Sequence, residues 1–346
     1  MASSKTKTAL LVITVVVVLL MVIIGIGAAV YLYRASRPLS APVAGAPPDI
    51  LSLVPPDAPV AAYLDAKTLR TTQNSTLEAI GQVVLPTPQQ DPDYTEFVRN
   101  TGFDYSRDLD RAALAMWPTD LGGAGNPGSD DRTVAVADGR FDQQRIKTYA
   151  LRTGHTVTRG SKTVYEVPGN PPVSFEFLSA TRVAIASGKN ATDLLTASRS
   201  APRDPAMQSR IDRVAGAPLF AVARTDKLPD SVYESFKNSQ QLYALVRSIQ
   251  GITLAGQPQG DNLDVTLDGE SDSMKNAIEI GTLLDGFRMI GSVELRDPKV
   301  RGQMTAQQAA FLSMLLDKVK VTPQDKWVRL SIDLTPAMLA GKTSTH

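Results

Sequence analysis

An uninterrupted apolar run near the start is the strongest hydropathy pattern in the chain. Residues 9–33 contain no charged side chain over about 25 positions. As a helix they would extend about 37 Å, more than the roughly 30 Å hydrocarbon core of a bilayer. Tyr31 and Tyr33 stand at one end, where aromatic rings favour the membrane interface. The run predicts a single transmembrane helix. A cleaved signal peptide, whose apolar region is shorter, stays an alternative.

Charges on the two flanks set the predicted orientation. Lys5, Lys7 and the α-amino group precede the run, while Arg34 and Arg37 follow it, so the positive-inside rule favours a cytoplasmic tail only narrowly. The chain nevertheless has the order of a signal-anchor protein: a short basic tail, then an apolar anchor, then a long polar domain. We therefore expect a cytoplasmic tail at 1–8, contact with the lipid bilayer at 9–33, and a main domain outside the cytoplasm, in the periplasm.

The predicted membrane helix also carries a small-residue pattern. Gly25 and Ala29 are four positions apart, and this spacing would let two copies of the helix approach as a homodimer. Small residues are also common in membrane spans in general. Self-association through this helix is therefore one of two interpretations of the pattern.

Beyond the run, composition and periodicity divide the chain further. Residues 34–50 are rich in Pro and Ala without periodicity, which predicts a semi-extended linker. Alternating strand and helix signals follow, typical of an α+β domain whose sheets are mainly antiparallel. The predicted organisation is a first α+β half at 51–215 and a second at 216–346. A Gly-rich stretch at 122–131 predicts a surface loop.

Local patterns predict the individual elements. Short apolar or alternating runs predict strands at 58–64, 112–117, 133–137, 173–177, 182–186, 217–223, 252–255 and 263–267. Helices are predicted at 91–101, 142–152, from Ser273 to about Gly286, and from Thr305 to about Lys318, with end signals at Gly102, Asp142 and Gly154.

A hairpin is predicted at the end of the domain, with arms at 318–321 and 327–334 around a turn at 322–325. Alternation places one set of its side chains on the core face and another on the opposite face. The first set is Val328, Leu330, Ile332 and Leu334, and the second is Arg329, Ser331 and Asp333.

Two pairs of similar stretches indicate an internal repeat. APVAAYLDAKTL at 58–69 resembles APLFAVARTDKL at 217–228. AVADGRFD at 135–142 resembles TLDGESD at 266–272, and in both an Asp follows Asp-Gly where it can cap a helix. The similarity is weak, so two related halves and a single non-repeated domain both stay open.

Composition removes several classes of function. The net charge is +1 and the basic residues are dispersed, so the chain shows no basic stripe for binding nucleic acid. The sequence has no cysteine, which excludes disulfides, thiol nucleophiles and Cys-type metal sites. Only His155 and His346 are present, so a His-based metal site or relay would depend on His155 alone.

Three stretches match known motifs by their letters but lack residues that the chemistry of those motifs requires. A dinucleotide site would need a helix to begin at the last glycine of Gly123-x-Gly125-x-x-Gly128. Pro127 precedes that glycine and acidic residues follow it, so no helix start is predicted there. Gly341-Lys342-Thr343 lacks both the first glycine and the following helix of a phosphate-binding loop. A calcium loop starting at Asp264 would place Lys275 where a bidentate Glu is required. We therefore predict no cofactor and no metal.

Carboxylates and His155 are the remaining candidates for catalytic groups. Six acids cluster in one region but lie at helix starts and turns, where Asp commonly caps: Asp91, Asp93, Glu96, Asp104, Asp108 and Asp110. His155 follows a predicted helix end in a polar stretch, which is typical of a solvated side chain. The sequence thus yields no residue to which a catalytic, cofactor-binding or metal-binding role can be assigned.

Several stretches resemble those of a group of uncharacterised bacterial envelope proteins, of the kind found in soil bacteria of acidobacterial type. They are DPDYTEFVRNTGFDYSRDLDR at 91–111, VADGRFD at 136–142 and RVAGAPLFAVAR at 213–224. The resemblance covers most of the chain after the linker. It implies a membrane-anchored domain and carries over no catalytic residue.

Together these patterns favour a non-enzymatic envelope protein whose outer domain binds a protein or cell-wall partner. The alternative is an extracytoplasmic hydrolase whose site the fold assembles from dispersed carboxylates or from a Ser–Lys pair, since catalytic groups need not be neighbours in sequence. An exposed apolar patch would favour the binding protein, and a pocket with paired carboxylates of perturbed pKa would favour the enzyme.

Overall fold

The structure, a computed structural model, describes residues 45–72, 74–76, 92–118, 132–169, 171–196, 202–228, 230, 233, 240–302 and 306–336. The apolar run at 9–33, the Gly-rich stretch at 122–131 and the capping residue Thr305 lie outside these residues. Within them, no helix has the length and apolar character needed to cross a bilayer. The described residues form two compact units: 45–72 with 92–228 is the N-terminal unit, and 74–76 with 230–336 is the C-terminal unit.

The N-terminal unit is built on an antiparallel sheet. Its strands are β1 (Val60–Leu64), β2 (Leu109–Trp117), β3 (Arg132–Gly139), β4 (His155–Arg159), β5 (Lys162–Val167), β6 (Val173–Ser179), β7 (Arg182–Ser187) and β8 (Leu219–Arg224), in the spatial order β8-β1-β2-β3-β7-β6-β5-β4. Each neighbouring pair is antiparallel. The α+β class with mainly antiparallel pairing is therefore confirmed.

The N-terminal unit also contains short helices. They are α1 (Ala66–Thr71), α2 (Pro92–Thr101), α3 (Tyr105–Asp108), α4 (Gln143–Ala150), α5 (Ala191–Thr196) and α6 (Pro205–Val214). The predicted cap at Asp142 is confirmed, since its carboxylate accepts from the Arg145 amide at 3.0 Å. Gly102 ends α2 as predicted, with a φ of +75° that glycine adopts without strain. Asp49–Leu53 forms a 3-10 helix in which Ile50 is fully buried.

The C-terminal unit contains four antiparallel strands with helices packed on them. Strands β9 (Ile249–Gln259), β10 (Asn262–Ser271), β11 (Lys320–Gln324) and β12 (Trp327–Leu334) are ordered β11-β12-β10-β9. Its helices are α7 (Gln240–Arg247), α8 (Met274–Glu294), α9 (Pro298–Arg301) and α10 (Ala306–Lys318). Helix α8 contacts β10, β11 and β12 and also α7 and α10.

Two predicted boundaries in the C-terminal unit are wrong. Helix α8 does not stop near Gly286 but continues to Glu294, because buried contacts of Gly291 and Leu295 with the unit extend its packed face. The final turn is not at 322–325: β11 runs to Gln324, and Asp325 makes the turn with a φ of +53°. Pro323 is tolerated within β11 because that strand lies at the edge of the sheet, where a missing amide donor costs little.

The alternation in β12 separates two faces, but the polar face is not a solvent face. Val328 and Leu334 are buried as predicted, while Leu330 and Ile332 are half-buried. Arg329 and Asp333 on the other face are buried as well. The guanidinium of Arg329 donates two hydrogen bonds of 2.6 Å to the carboxylate of Asp268 directly opposite on β10. Pairing of this kind allows charged groups to lie inside a protein.

Candidate functional site

A cluster of charged side chains lies across three neighbouring strands of the N-terminal unit. Asp138 on β3 is directly opposite Arg111 on β2 and Arg182 on β7. Arg182 Nε lies 2.5 Å from Asp138 Oδ1, and Arg111 Nη2 lies 2.6 Å from Asp138 Oδ2. Both arginines also contact Asp49 in the 3-10 helix. Arg182 Nη2 lies 3.4 Å from Asp49 Oδ2, and Arg111 Nη1 lies 2.9 Å from Asp49 Oδ1. We call these four residues the cross-strand cluster.

Electrostatics hold both carboxylates of the cross-strand cluster in the charged form. The hydrogen bonds and charges of Arg182 and Arg111 lower the pKa of Asp138 below its ordinary value, against the opposing effect of burial. Burial would raise the pKa of Asp49, but Arg111 and Arg182 outweigh it and the net shift is downward. Catalysis by general acid would need a carboxyl group with a raised pKa. The cross-strand cluster therefore stabilises the sheet and holds no poised proton donor.

The acids that the sequence singles out have structural partners where they are described. Asp104 caps α3 by accepting from the Ser106 amide at 2.9 Å, as the capping interpretation predicts. The Arg107 hydrogen bond lowers the pKa of Asp108, which Arg140 also contacts at 3.2 Å. Asp110 pairs with Arg70 at 3.3 Å and Glu96 with Arg152 at 3.8 Å. Asp91 and the side chain of Asp93 lie outside the described residues.

His155 lies at the start of β4, and its side chain is 67% exposed. Its Nε2 is 3.3 Å from Glu166 Oε2, and the other oxygen of Glu166 accepts from the hydroxyl of Thr192. In this order the carboxylate stands between the imidazole and the hydroxyl. A nucleophile–base pair needs the imidazole beside the hydroxyl, so these groups do not form a catalytic relay.

Residues 264–269, considered for calcium, lie in the extended strand β10 rather than in a loop. Both oxygens of Asp268 accept from Arg329. In the part of the chain that the structure describes, no three His, Cys, Asp or Glu side chains converge as metal ligands would.

An exposed apolar face on α8 is the feature of the C-terminal unit that the packing leaves unexplained. Of the large apolar side chains exposed among the described residues, all but Leu151 lie on this helix: Met274, Ile278, Met289, Ile290 and Val293. Val293 is 65% exposed and Met289 55%. A surface helix normally buries its apolar side and presents polar residues outward. We call Gly286, Met289, Ile290 and Val293 the outer face of α8.

Helical spacing brings these four residues together. They occupy positions i, i+3, i+4 and i+7, which lie on one side of a helix. The opposite side of α8 is the packed one, where Ala277, Ile280, Gly281 and Gly291 are buried. From Gly286 onward the helix is therefore apolar on both sides, although the unit covers only one of them. Exposed apolar patches on folded domains commonly mark interaction sites.

Sequence reasoning missed this surface because it ended the helix at Gly286. Met289, Ile290 and Val293 all follow that glycine, so their common face did not enter the prediction. The available signal was the continued helical spacing of apolar residues through 295, with no proline before Pro298.

Comparisons with known proteins add little to this picture. No family model matches the sequence, and no curated protein matches it. Among solved structures, crystal form III of TP0453 matches with a TM-score of 0.42 and 9% identity, covering 85% of this chain and 96% of that one. Crystal form I of TP0453 gives a TM-score of 0.41 and 10% identity over the same shares. Both TM-scores are too low to carry an argument about fold or function.

Proposed function

We propose that this protein is a membrane-anchored, non-enzymatic binding protein whose folded domain lies outside the cytoplasm. The observation that carries the binding function is the outer face of α8. Its three large apolar side chains are each about half exposed or more. Covering them would remove apolar surface from water at roughly 25 cal/mol per Å². A partner protein or cell-wall material with a complementary apolar surface would supply that cover.

The membrane anchor in this proposal is supported by the sequence. A run of about 25 uncharged residues suits a span better than the shorter apolar region of a signal peptide. The resemblance to acidobacterial-type envelope proteins is consistent with the same location. A domain tethered close to the bilayer would present the outer face of α8 to other envelope components.

We further propose that the domain consists of two related halves. Strands β1 and β8, which carry the similar stretches, pair directly with each other. Asp138 and Asp268, each followed by Gly in the second pair of stretches, both accept from an arginine directly opposite on the next strand. Strand orders β2-β3-β7-β6 and β9-β10-β12-β11 also correspond. These parallels support a duplication.

The rival hydrolase draws less support from the described residues. Asp49 and Asp138, which the 3-10 helix and β3 bring close together, both form ion pairs with Arg111 and Arg182. An enzyme of this type would need one carboxyl group free to give a proton. We therefore favour binding.

A photo-crosslinking side chain incorporated at Met289 in the full-length chain tests the binding function. In intact envelopes we expect irradiation to give a discrete adduct at Met289. The same side chain at Gln144, an exposed position on α4, should give none. An adduct at Met289 that disappears in a Val293→Glu background would localise the contact to the outer face.

Failure of the proposal would look different from failure to fold. A folded chain that yields no adduct at Met289, yet turns over an ester or glycoside, would contradict it. Loss of that turnover on changing one carboxylate to its amide, with unchanged thermal stability, would establish the hydrolase instead.

A further inference from the structure

We infer that the thioether of Met289 is a reversible oxidation site that regulates the outer face of α8, with a hydroperoxide such as hydrogen peroxide as the oxidant. Oxidation to the sulfoxide weakens binding by this face, and enzymatic reduction restores it. The inference rests on the proposed binding function and adds its regulation. It does not depend on which apolar partner covers the face.

Exposure singles out the methionines of α8. Met289 is 55% exposed and Met274 is 57% exposed. The other two methionines whose side chains the structure describes are less accessible, since Met207 is fully buried and Met116 is half-buried. An oxidant must reach the sulfur atom, so susceptibility follows exposure. The two methionines of α8 are therefore the most accessible thioethers in the described part of the chain.

The sulfur content of the chain leaves this role to methionine. Thiolates are usually the side chains most reactive toward peroxides, but the sequence contains no cysteine. No thiol of the chain therefore competes with the thioethers for the oxidant. Methionine sulfoxide can also be reduced again by dedicated reductases. A reversible redox signal in this protein can accordingly be carried by methionine.

The reaction requires only the thioether and the peroxide. A lone pair of the Met289 sulfur attacks one peroxide oxygen, and the O–O bond breaks as the S–O bond forms, releasing hydroxide. The hydroxyl group on sulfur then gives its proton to that hydroxide, so the products are the sulfoxide and water. The sulfur loses the electron pair that the peroxide gains.

Met289 lies in the middle of the outer face, so a change in its polarity alters the whole surface. Gly286 precedes it by three positions, and Ile290 and Val293 follow it by one and four. Reduced methionine is flexible and polarisable, which suits an apolar binding surface. The sulfoxide adds a strongly polar oxygen. Removing that oxygen from water costs free energy unless the partner offers a hydrogen bond, so cover by an apolar surface is disfavoured.

Oxidation at this position should leave the fold intact. One apolar cluster holds α8 on the unit around Ala277 and Ile280, and another forms around Leu295 just after its end. Met289 belongs to neither cluster. Methionine oxidation disrupts a fold where the side chain is packed in a core. The more than half-exposed side chain of Met289 instead places the change on the surface.

Peptide mapping by mass spectrometry tests the reactivity on the purified full-length chain. During graded exposure to hydrogen peroxide, Met289 and Met274 should each gain an oxygen atom several-fold faster than Met207. Thermal unfolding of the chain oxidised at the two exposed positions should match that of the untreated chain. Equal rates of oxidation at Met289 and Met207 would overturn the inference.

A photo-crosslinking side chain at Val293 measures binding while leaving Met289 in place. In isolated envelopes, peroxide treatment that oxidises Met289 should lower the adduct yield several-fold. Treatment with a methionine sulfoxide reductase and its reductant should then restore the yield. A yield that stays low after Met289 has returned to the thioether would show irreversible damage and contradict reversible regulation.

Met289→Leu supplies the matched control, because leucine is apolar and of similar volume but forms no sulfoxide. Each chain is compared with itself before and after peroxide, so differences in starting yield do not enter. The yield should not fall in Met289→Leu. It should still fall in Met274→Leu, whose substitution lies fifteen positions earlier and about 22 Å away along α8. A fall that persists in Met289→Leu would assign the effect to another group and overturn the inference.

The same experiment separates this inference from the binding function on which it rests. Adducts at Val293 that persist after complete oxidation of Met289 would remove the regulation and leave the binding function standing. The absence of adducts at both Val293 and Met289 before peroxide is added would remove both.

Discussion

At the residue scale, arginine–carboxylate pairs directly opposite one another connect adjacent strands within each unit. Asp138 lies between Arg111 and Arg182, and Asp268 accepts two bonds from Arg329. Removing one partner leaves a partly buried charge without compensation, which costs more than the pair itself contributes. These residues therefore set the sensitivity of the fold to substitution.

We expect Asp138→Asn to lower the free energy of unfolding by about 2 kcal/mol at pH 7, since charge-assisted hydrogen bonds are worth about 1.5–3 kcal/mol. The pKa of Asp138 is lowered in the folded state by Arg182 and Arg111. Its contribution is therefore complete above the unfolded pKa of about 4 and is lost as the pH falls through the folded pKa. Urea unfolding of both chains at pH 7 and in acid measures the difference.

A surface pair supplies the control for this prediction. Glu96→Gln removes an ion pair whose partners are each about half exposed, so it should change the stability by less than about 1 kcal/mol. A difference between wild type and Asp138→Asn that grows in acid would show that the carboxylate is not held in its charged form.

At the element scale, helix ends follow contacts with neighbouring elements as well as local signals. Gly286 does not end α8, which continues because its next turns pack on the unit. Gly154 follows α4, and its amide donates to Ala150 O at 3.0 Å. The lack of a side chain there serves a second purpose, since a Cβ would lie 2.2 Å from the backbone oxygen of Glu166 on β5.

Gly154→Ala should accordingly destabilise the N-terminal unit by about 1–3 kcal/mol, the usual cost of overpacking. The clash is with backbone, so no side-chain rotation can relieve it. The neighbouring Thr153→Ala replaces an exposed side chain and should change stability by less than about 0.5 kcal/mol. Thermal unfolding of both variants compares them directly, and equal melting temperatures would rule out the close approach.

At the scale of the whole molecule, two antiparallel units follow a predicted membrane anchor. Each unit places helices on its sheet, and the corresponding strand orders are the basis for proposing a duplication. The orientation of the chain in the membrane then decides which compartment the outer face of α8 would meet.

We predict that a reporter fused after His346 will be active as alkaline phosphatase and dark as a fluorescent protein that folds only in the cytoplasm. The reasons are the length of the apolar run and the short basic tail ahead of it, which together have the order of a signal-anchor. The reversed pattern of reporter activity would refute this topology. A mature N-terminus beyond residue 33 would show that the run is cleaved.

Local periodicity and end signals in the sequence were enough to predict most strands, the cap at Asp142 and the end of α2 at Gly102, because these depend on residues a few positions apart. The tertiary structure decided which residues that are distant in the sequence come into contact. Arg111 and Arg182 meet across Asp138 only when β2, β3 and β7 align. The outer face of α8 likewise exists only because packing on the other side carries the helix past Gly286 and leaves Met289, Ile290 and Val293 uncovered.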